Sequence, residues 1–169
     1  GSAARSARCP APAESKRRWT DLRARAISAG LLAPVVLGCL WVGGIAFQVM
    51  LLVAGVILAQ EWLAMCGHRL RDSAGALLVA AVVVMAGAAA LGQLLAVVVV
   101  CVLATVAMVA LGRSAMALGV VYVGLGVAAL IWLRDDPVAG RWNLLVLVLL
   151  VWASDIGAYL VGRVIGGPK

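Results

Sequence analysis

The residues best suited to chemistry lie together in the last apolar segment of the chain, at positions 152–163. On a helix that turns 100° per residue, Tyr159 and Gly162 fall within about 40° of Asp155. Arg163 lies about 80° round the same helix and about 12 Å further along its axis. One helix face therefore offers a carboxylate, a phenol hydroxyl and a guanidinium. Ionisable groups inside a membrane span are costly, so they are usually functional.

The same segment also has a purely structural interpretation. Ser154, Ala158 and Gly162 form a row of small residues, which lets a neighbouring helix or a ligand approach the backbone closely. In that interpretation Asp155 only hydrogen-bonds another helix. The spacing alone leaves both interpretations open.

A second ionisable residue, Glu61, lies near the end of an earlier apolar segment and is followed by Trp62. It either acts within the span or only reaches the headgroups, with Trp62 at the membrane interface. Asp135 and Asp136 precede a proline, so we interpret them as a loop and helix-stop signal rather than as metal ligands. The cysteines are scattered and His68 is the single histidine, which excludes a zinc motif.

Composition predicts that transmembrane helices position these residues. The 169 residues are 65% hydrophobic and 12% charged, with a mean hydropathy of +1.12. Residues 27–60 and 74–111 contain no charged side chain, and each run is nearly twice the roughly 20 residues of one span. Both runs must therefore fold back on themselves. We predict an all-α fold, a polytopic transmembrane helical bundle of about six spans.

The predicted spans are separated by glycines or by polar loops. They cover about residues 27–41, 45–65, 115–133 and 143–162, and the run 74–111 divides at Gly92 and Gln93 into the third and fourth spans. The first span is short and contains Pro34, which predicts a kinked or only partly crossing segment. Residues 1–26 are predicted to be a basic, largely disordered cytoplasmic leader, 27–165 the transmembrane domain, and 166–169 the start of a cytoplasmic loop.

The charges predict the orientation of the bundle. The formal net charge is +7, and seven of the 14 basic residues lie within the first 25 positions. With the amino terminus in the cytoplasm, 12 of the 14 basic residues lie on that side, as the positive-inside rule requires. A basic leader beside an apolar helix attracts anionic lipid, so we expect a membrane and no nucleic acid as the partner.

Residues 154–163 read S-D-I-G-A-Y-L-V-G-R. They closely resemble the S-D-T-G-A-Y-x-x-G-R segment of bacterial phosphatidate cytidylyltransferases, the CDP-diacylglycerol synthases, with Ile156 in place of the usual threonine. The basic stretch at 16–25, the Glu61-Trp62 pair and the residues at 166–169 resemble less specific elements of the same family. The resemblance extends over nearly the whole chain.

The resemblance implies a reaction in which the phosphate of phosphatidic acid attacks the α-phosphorus of CTP, giving CDP-diacylglycerol and pyrophosphate. It implies Mg²⁺ as cofactor, with ligands mainly in later segments of the family, so the metal ligands in this chain are unknown. Asp155 would be catalytic by orienting a metal-bound water or a basic side chain. Tyr159, Arg163 and Lys169 would bind substrate. The implied location is the bacterial inner membrane, and a homodimer is compatible with the resemblance.

The family's K-T-x-E-G segment and its C-terminal signature are not among these 169 residues. We therefore expect the chain to correspond to the amino-terminal part of such an enzyme and to be inactive by itself. Two alternatives stay open. The chain could be a proton- or cation-coupled transporter or channel subunit that uses Asp155 and Glu61, although no convincing internal repeat is seen, or it could be a non-catalytic membrane scaffold.

Overall fold

The structure is a computed structural model that describes residues 30–68, 70 and 72–165, with side chains as far as Gly162. The predicted leader at 1–26 and the predicted loop at 166–169 lie outside the described residues. Residues 39–169 belong to one compact unit, and all packing described below is within it.

Six helices make up the regular structure of the described residues. They are α1 (Gly30–Val42), α2 (Gly44–Met65), α3 (Ser73–Ala90), α4 (Leu94–Ala110), α5 (Ser114–Asp135) and α6 (Gly140–Ile165). The prediction of an all-α bundle is confirmed, and each described boundary lies within a few residues of its predicted place. Helices α2, α3, α5 and α6 are long and apolar enough to cross a membrane, whereas α1 and α4 are shorter.

Three of the helices end in the same way, and a glycine makes each ending. After α2, the N–H groups of Gly67 and His68 bond back to the carbonyls of Ala64 and Leu63. The same pair of bonds closes α3 at Gly92 and α4 at Gly112. The φ angles of these glycines are 70–74°, a conformation that residues with a Cβ rarely adopt. This is why the charge-free run 74–111 breaks at Gly92.

Helix α3 lies at the centre of the unit and contacts α2, α4 and α5. Its Leu78, Val82 and Met85 are fully buried. Helix α5 contains one π-helical turn, Val120–Gly124, and Gly124 lies against the Met85 side chain, where a Cβ would come within 2.7 Å of the sulfur. Small residues therefore let α5 approach α3 closely.

Two polar clusters mark the two ends of the bundle. At the end that we call the Trp41 end, Arg134 Nε donates to the carbonyl of Leu40 at 2.8 Å. There the Trp41 and Trp142 rings meet edge to face at 6.4 Å, and the Arg141 guanidinium lies 4.9 Å from the Trp41 ring centre. These contacts attach the end of α1 to the end of α5 and the start of α6.

The opposite end, which we call the His68 end, joins the α2–α3 loop to the α4–α5 turn. His68 Nδ1 lies 3.3 Å from a carboxylate oxygen of Asp72 and 3.3 Å from a guanidinium nitrogen of Arg113. One ring nitrogen cannot donate to the carboxylate and accept from the guanidinium at once. Whether Nδ1 carries a hydrogen therefore decides which of the two contacts is a hydrogen bond.

Candidate functional site

Asp155 lies in the second half of α6. This helix is continuous over Gly140–Ile165, as the predicted helical spacing of Asp155 and Tyr159 requires. Helix α6 packs on α5 through its first turns, where Leu144 is buried and Leu145 and Val148 are half-buried. Beyond Val148 every described residue is exposed except the half-buried Gly157. The candidate face therefore belongs to a part of α6 that has no helix packed over it within the described residues.

The Asp155 side chain is exposed within the described residues. Burial would require a second element against the outer half of α6, and α5 covers only its first turns. Helical spacing does place Asp155, Tyr159 and Gly162 on one face, as predicted. Tyr159 is 63% exposed. The Arg163 side chain and Lys169 lie outside the described residues, so their roles stay predictions.

Ser154 precedes the carboxylate and belongs to the row of small residues. Its hydroxyl donates to the carbonyl of Val151, one turn back, at 2.8 Å. The hydroxyl is therefore satisfied by its own helix, as is common for serine in an apolar helix. Ala158 and Gly162 are exposed along the same row. A neighbouring helix or a ligand has room to approach the backbone here, so neither interpretation of the row is excluded.

Glu61 occupies a different setting, on a groove between α2 and α5. The groove has a volume of about 520 Å³, and Glu61 is exposed at its wall. Glu61 lies on α2 and Asp155 on α6, two helices that do not pack extensively on each other within the described residues. The structure therefore does not bring together the two carboxylates that a transporter was expected to use.

Trp62, next to Glu61, is fixed by contacts that the sequence did not reveal. Its indole N–H donates to the carbonyl of Ala115 at 2.9 Å, and its ring lies 6.1 Å from that of Tyr122. A Cβ at Gly119 would come within 2.6 Å of the indole ring. Trp62, predicted to be an interfacial residue, thus also packs α2 onto α5. The sequence signal for this contact is a glycine in a mainly apolar helix, which is too common to be informative.

The described residues contain no group of three or more histidine, cysteine, aspartate or glutamate side chains placed to hold a metal. The Asp135-Asp136 pair is structural in this chain. Asp136 accepts hydrogen bonds from the backbone N–H groups of Ala139 and Val138, which lower the pKa of its carboxyl. Asp135 accepts one from the Gln48 amide at 3.3 Å.

The chain matches the sequence model of the Cytidylyltransferase family over residues 23–169. It is 30% identical over 155 residues to the phosphatidate cytidylyltransferases of Brucella suis, Brucella melitensis and Brucella abortus. These alignments cover 89% of this chain and 57% of each relative, so the chain spans a little over half the length of the curated relatives it matches. No solved structure matches it significantly. Because the family match includes all of α2–α6 and the whole 154–163 segment, the chain belongs to the cytidylyltransferase family.

Proposed function

We propose that this protein transfers a cytidylyl group from CTP to phosphatidic acid, which gives CDP-diacylglycerol and pyrophosphate for phospholipid synthesis. The observation that carries the proposal is the family match over residues 23–169, which includes the S-D-I-G-A-Y segment of α6. The curated relatives named phosphatidate cytidylyltransferase supply the substrate class.

The position of Asp155 suits this chemistry. It lies ten residues before the end of α6 at Ile165, which corresponds to about 15 Å along the helix. Two anions must react at the lipid–water boundary, so cationic groups and a divalent metal are needed to neutralise the developing charge. In the proposal, Asp155 orients a basic side chain or a metal-bound water, and Tyr159, Arg163 and Lys169 bind substrate.

Magnesium would supply charge neutralisation when it is bound. Since the described residues contain no cluster of metal ligands, Asp155 can contribute one carboxylate and the other ligands must come from outside the described residues. The exposure of Asp155 is compatible with that arrangement, because groups from another segment can approach the face that it shares with Tyr159.

The protein is a multi-pass membrane protein with helices long enough to span the bilayer. We propose the bacterial inner membrane as its location, with a cytoplasmic amino terminus. The distribution of basic residues supports this orientation. It would put the His68 end and the carboxyl end of α6 on the cytoplasmic side, where CTP is available.

The test is liponucleotide formation from radiolabelled CTP and phosphatidic acid, by protein expressed from the complete reading frame that carries this sequence. Asp155→Asn keeps the shape of the side chain and removes its charge, and we expect turnover to fall about 10- to 100-fold. Asp135→Asn is the matched control at the Trp41 end and should leave turnover unchanged.

Two results would contradict the proposal. One is a folded, membrane-inserted protein that forms no CTP-dependent lipid product. The other is equal turnover by the Asp155→Asn variant and the unaltered protein, which would assign Asp155 to packing alone.

A further inference from the structure

The groove between α2 and α5 takes no part in the proposed reaction, yet it has a volume of about 520 Å³. This volume is within the range of pockets that bind small molecules, which is about 300–1,000 Å³. Its walls are apolar along most of their length. They include Leu51 and Leu58 from α2, and Val123, Gly126 and Leu130 from α5.

Glycines determine the shape of the groove. Gly55 lets α2 approach Val127, where a Cβ would come within 2.8 Å of a methyl group, and Gly119 does the same for the Trp62 ring. A Cβ at Gly126, by contrast, would meet no heavy atom within 4 Å. Two close contacts therefore hold the helices together, and a glycine that packs against nothing leaves space in the wall between them.

The groove has the length of a lipid tail. Its α2 wall runs from Leu51 to Met65, which corresponds to about 21 Å along the helix axis. That is roughly two thirds of the hydrocarbon thickness of a bilayer, which is about 30 Å. An extended acyl chain lying along the helices would fill a slot of this length.

Glu61 lies near one end of this slot and is the single charged residue that lines it. It is four residues before the end of α2, about 6 Å along the axis. Its carboxylate is exposed and makes no hydrogen bond or ion pair with another described residue. The neighbouring indole N–H of Trp62 is already bonded to Ala115. A carboxylate near the membrane boundary with no cationic partner among the described residues favours a cationic ligand group.

We propose that this groove binds one acyl chain of a phospholipid whose headgroup carries a primary ammonium, and that the ammonium pairs with Glu61. The apolar wall accepts the tail, while the carboxylate selects the headgroup. A lipid with an anionic headgroup would place like charges together. An apolar helix laid in the groove would cover Glu61 without giving it a partner, which is costly in hydrocarbon. The proposal does not depend on the cytidylyltransferase activity.

The first test fills the groove. Gly126→Leu puts a side chain into the open space. Ala129→Leu puts the same side chain at an exposed position of α5 that lines a different groove, against α4. The full chain is released from nanodiscs of equal parts phosphatidylethanolamine and phosphatidylglycerol, and retained lipids are counted by native mass spectrometry. We expect Gly126→Leu to reduce retained phosphatidylethanolamine about 10-fold, and Ala129→Leu to leave it unchanged.

The second test changes only the charge. Glu61→Gln has nearly the same shape, so the tail should still bind. We expect the preference for phosphatidylethanolamine over phosphatidylglycerol to fall about five-fold, which is the value of one partly exposed ion pair. Asp135→Asn at the Trp41 end is the control and should keep the preference.

Three results would overturn the proposal. The first is an unaltered chain with no preference between the two lipids. The second is an equal loss of lipid from Gly126→Leu and Ala129→Leu. The third is a dimer that Gly126→Leu dissociates, which would show that a second copy of the chain occupies the groove. Circular dichroism and the oligomeric state of Glu61→Gln distinguish lost binding from lost folding.

Discussion

Replacing Gly119 with alanine should loosen the contact that holds α2 against α5. The added Cβ would lie 2.6 Å from Cδ1 and 2.7 Å from Nε1 of Trp62, well inside van der Waals contact. The ring cannot move away freely, because its N–H is bonded to Ala115 at 2.9 Å and its face meets the ring of Tyr122. The substitution therefore forces either the indole or the α5 backbone to shift.

The expected size of the effect follows from three contributions. Overpacking a closely packed contact costs about 1–3 kcal/mol, and weakening the Trp62–Ala115 hydrogen bond costs about 0.5–1.5 kcal/mol. The gain in helix propensity from glycine to alanine offsets about 0.5–1 kcal/mol. We expect the free energy of unfolding to fall by about 2 kcal/mol, within a range of about 0.5–4 kcal/mol. Gly126→Ala, in the same helix with open space at its Cβ, should instead be neutral or stabilising.

The assay is reversible unfolding by sodium dodecyl sulfate in mixed micelles, followed by far-ultraviolet circular dichroism. Gly119→Ala is measured in the unaltered chain and again in a chain that carries Trp62→Leu. Because leucine is shorter and makes no bond to Ala115, the alanine should cost much less in that background. The difference between the two measurements is the coupling energy of the contact.

Two outcomes would refute this account of the contact. If Gly119→Ala and Gly126→Ala have the same effect, the close approach of Gly119 to the indole does not exist in solution. If the cost of Gly119→Ala is the same with and without Trp62→Leu, the strain does not come from the indole and arises instead in the adjacent π-helical turn, Val120–Gly124.

Three further predictions concern the Trp41 end. Arg134→Ala should lower the free energy of unfolding by about 1.5–3 kcal/mol, because a charged donor to the Leu40 carbonyl is lost, and hydrogen exchange at the end of α1 should rise. Gly43→Ala should lower the free energy of unfolding by about 1–3 kcal/mol in the same assay, because Gly43 has φ 71° and ψ −157°, a conformation that residues with a Cβ rarely adopt. The N–H groups of Ala139 and Val138 lower the Asp136 pKa below 3.8. Asp136 therefore stabilises the fold above that pH, and the stabilisation is lost as pH falls through its folded pKa. Asp136→Asn should reduce this acid dependence, measured as the thermal midpoint of unfolding against pH.

Much of the helix layout could be predicted from the sequence by itself. Charge-free runs longer than one span require helices that turn back, because an unpaired backbone group is costly in hydrocarbon. The helix breaks at Gly92 because glycine is the residue type that readily adopts a positive φ angle. The shared face of Asp155 and Tyr159 follows from helical periodicity. The segment 154–163 also identified the family without any coordinates.

The tertiary structure alone decided which faces meet. In a soluble helix the apolar stripe marks the packed side, but a membrane helix is apolar all round, so the sequence does not show that Gly119 faces Trp62 or that Gly126 faces open space. The same ambiguity applies to the surroundings of Asp155. A carboxylate in an apolar run suggests burial, whereas its exposure depends on how far α5 extends along α6, and this is a property of packing between helices.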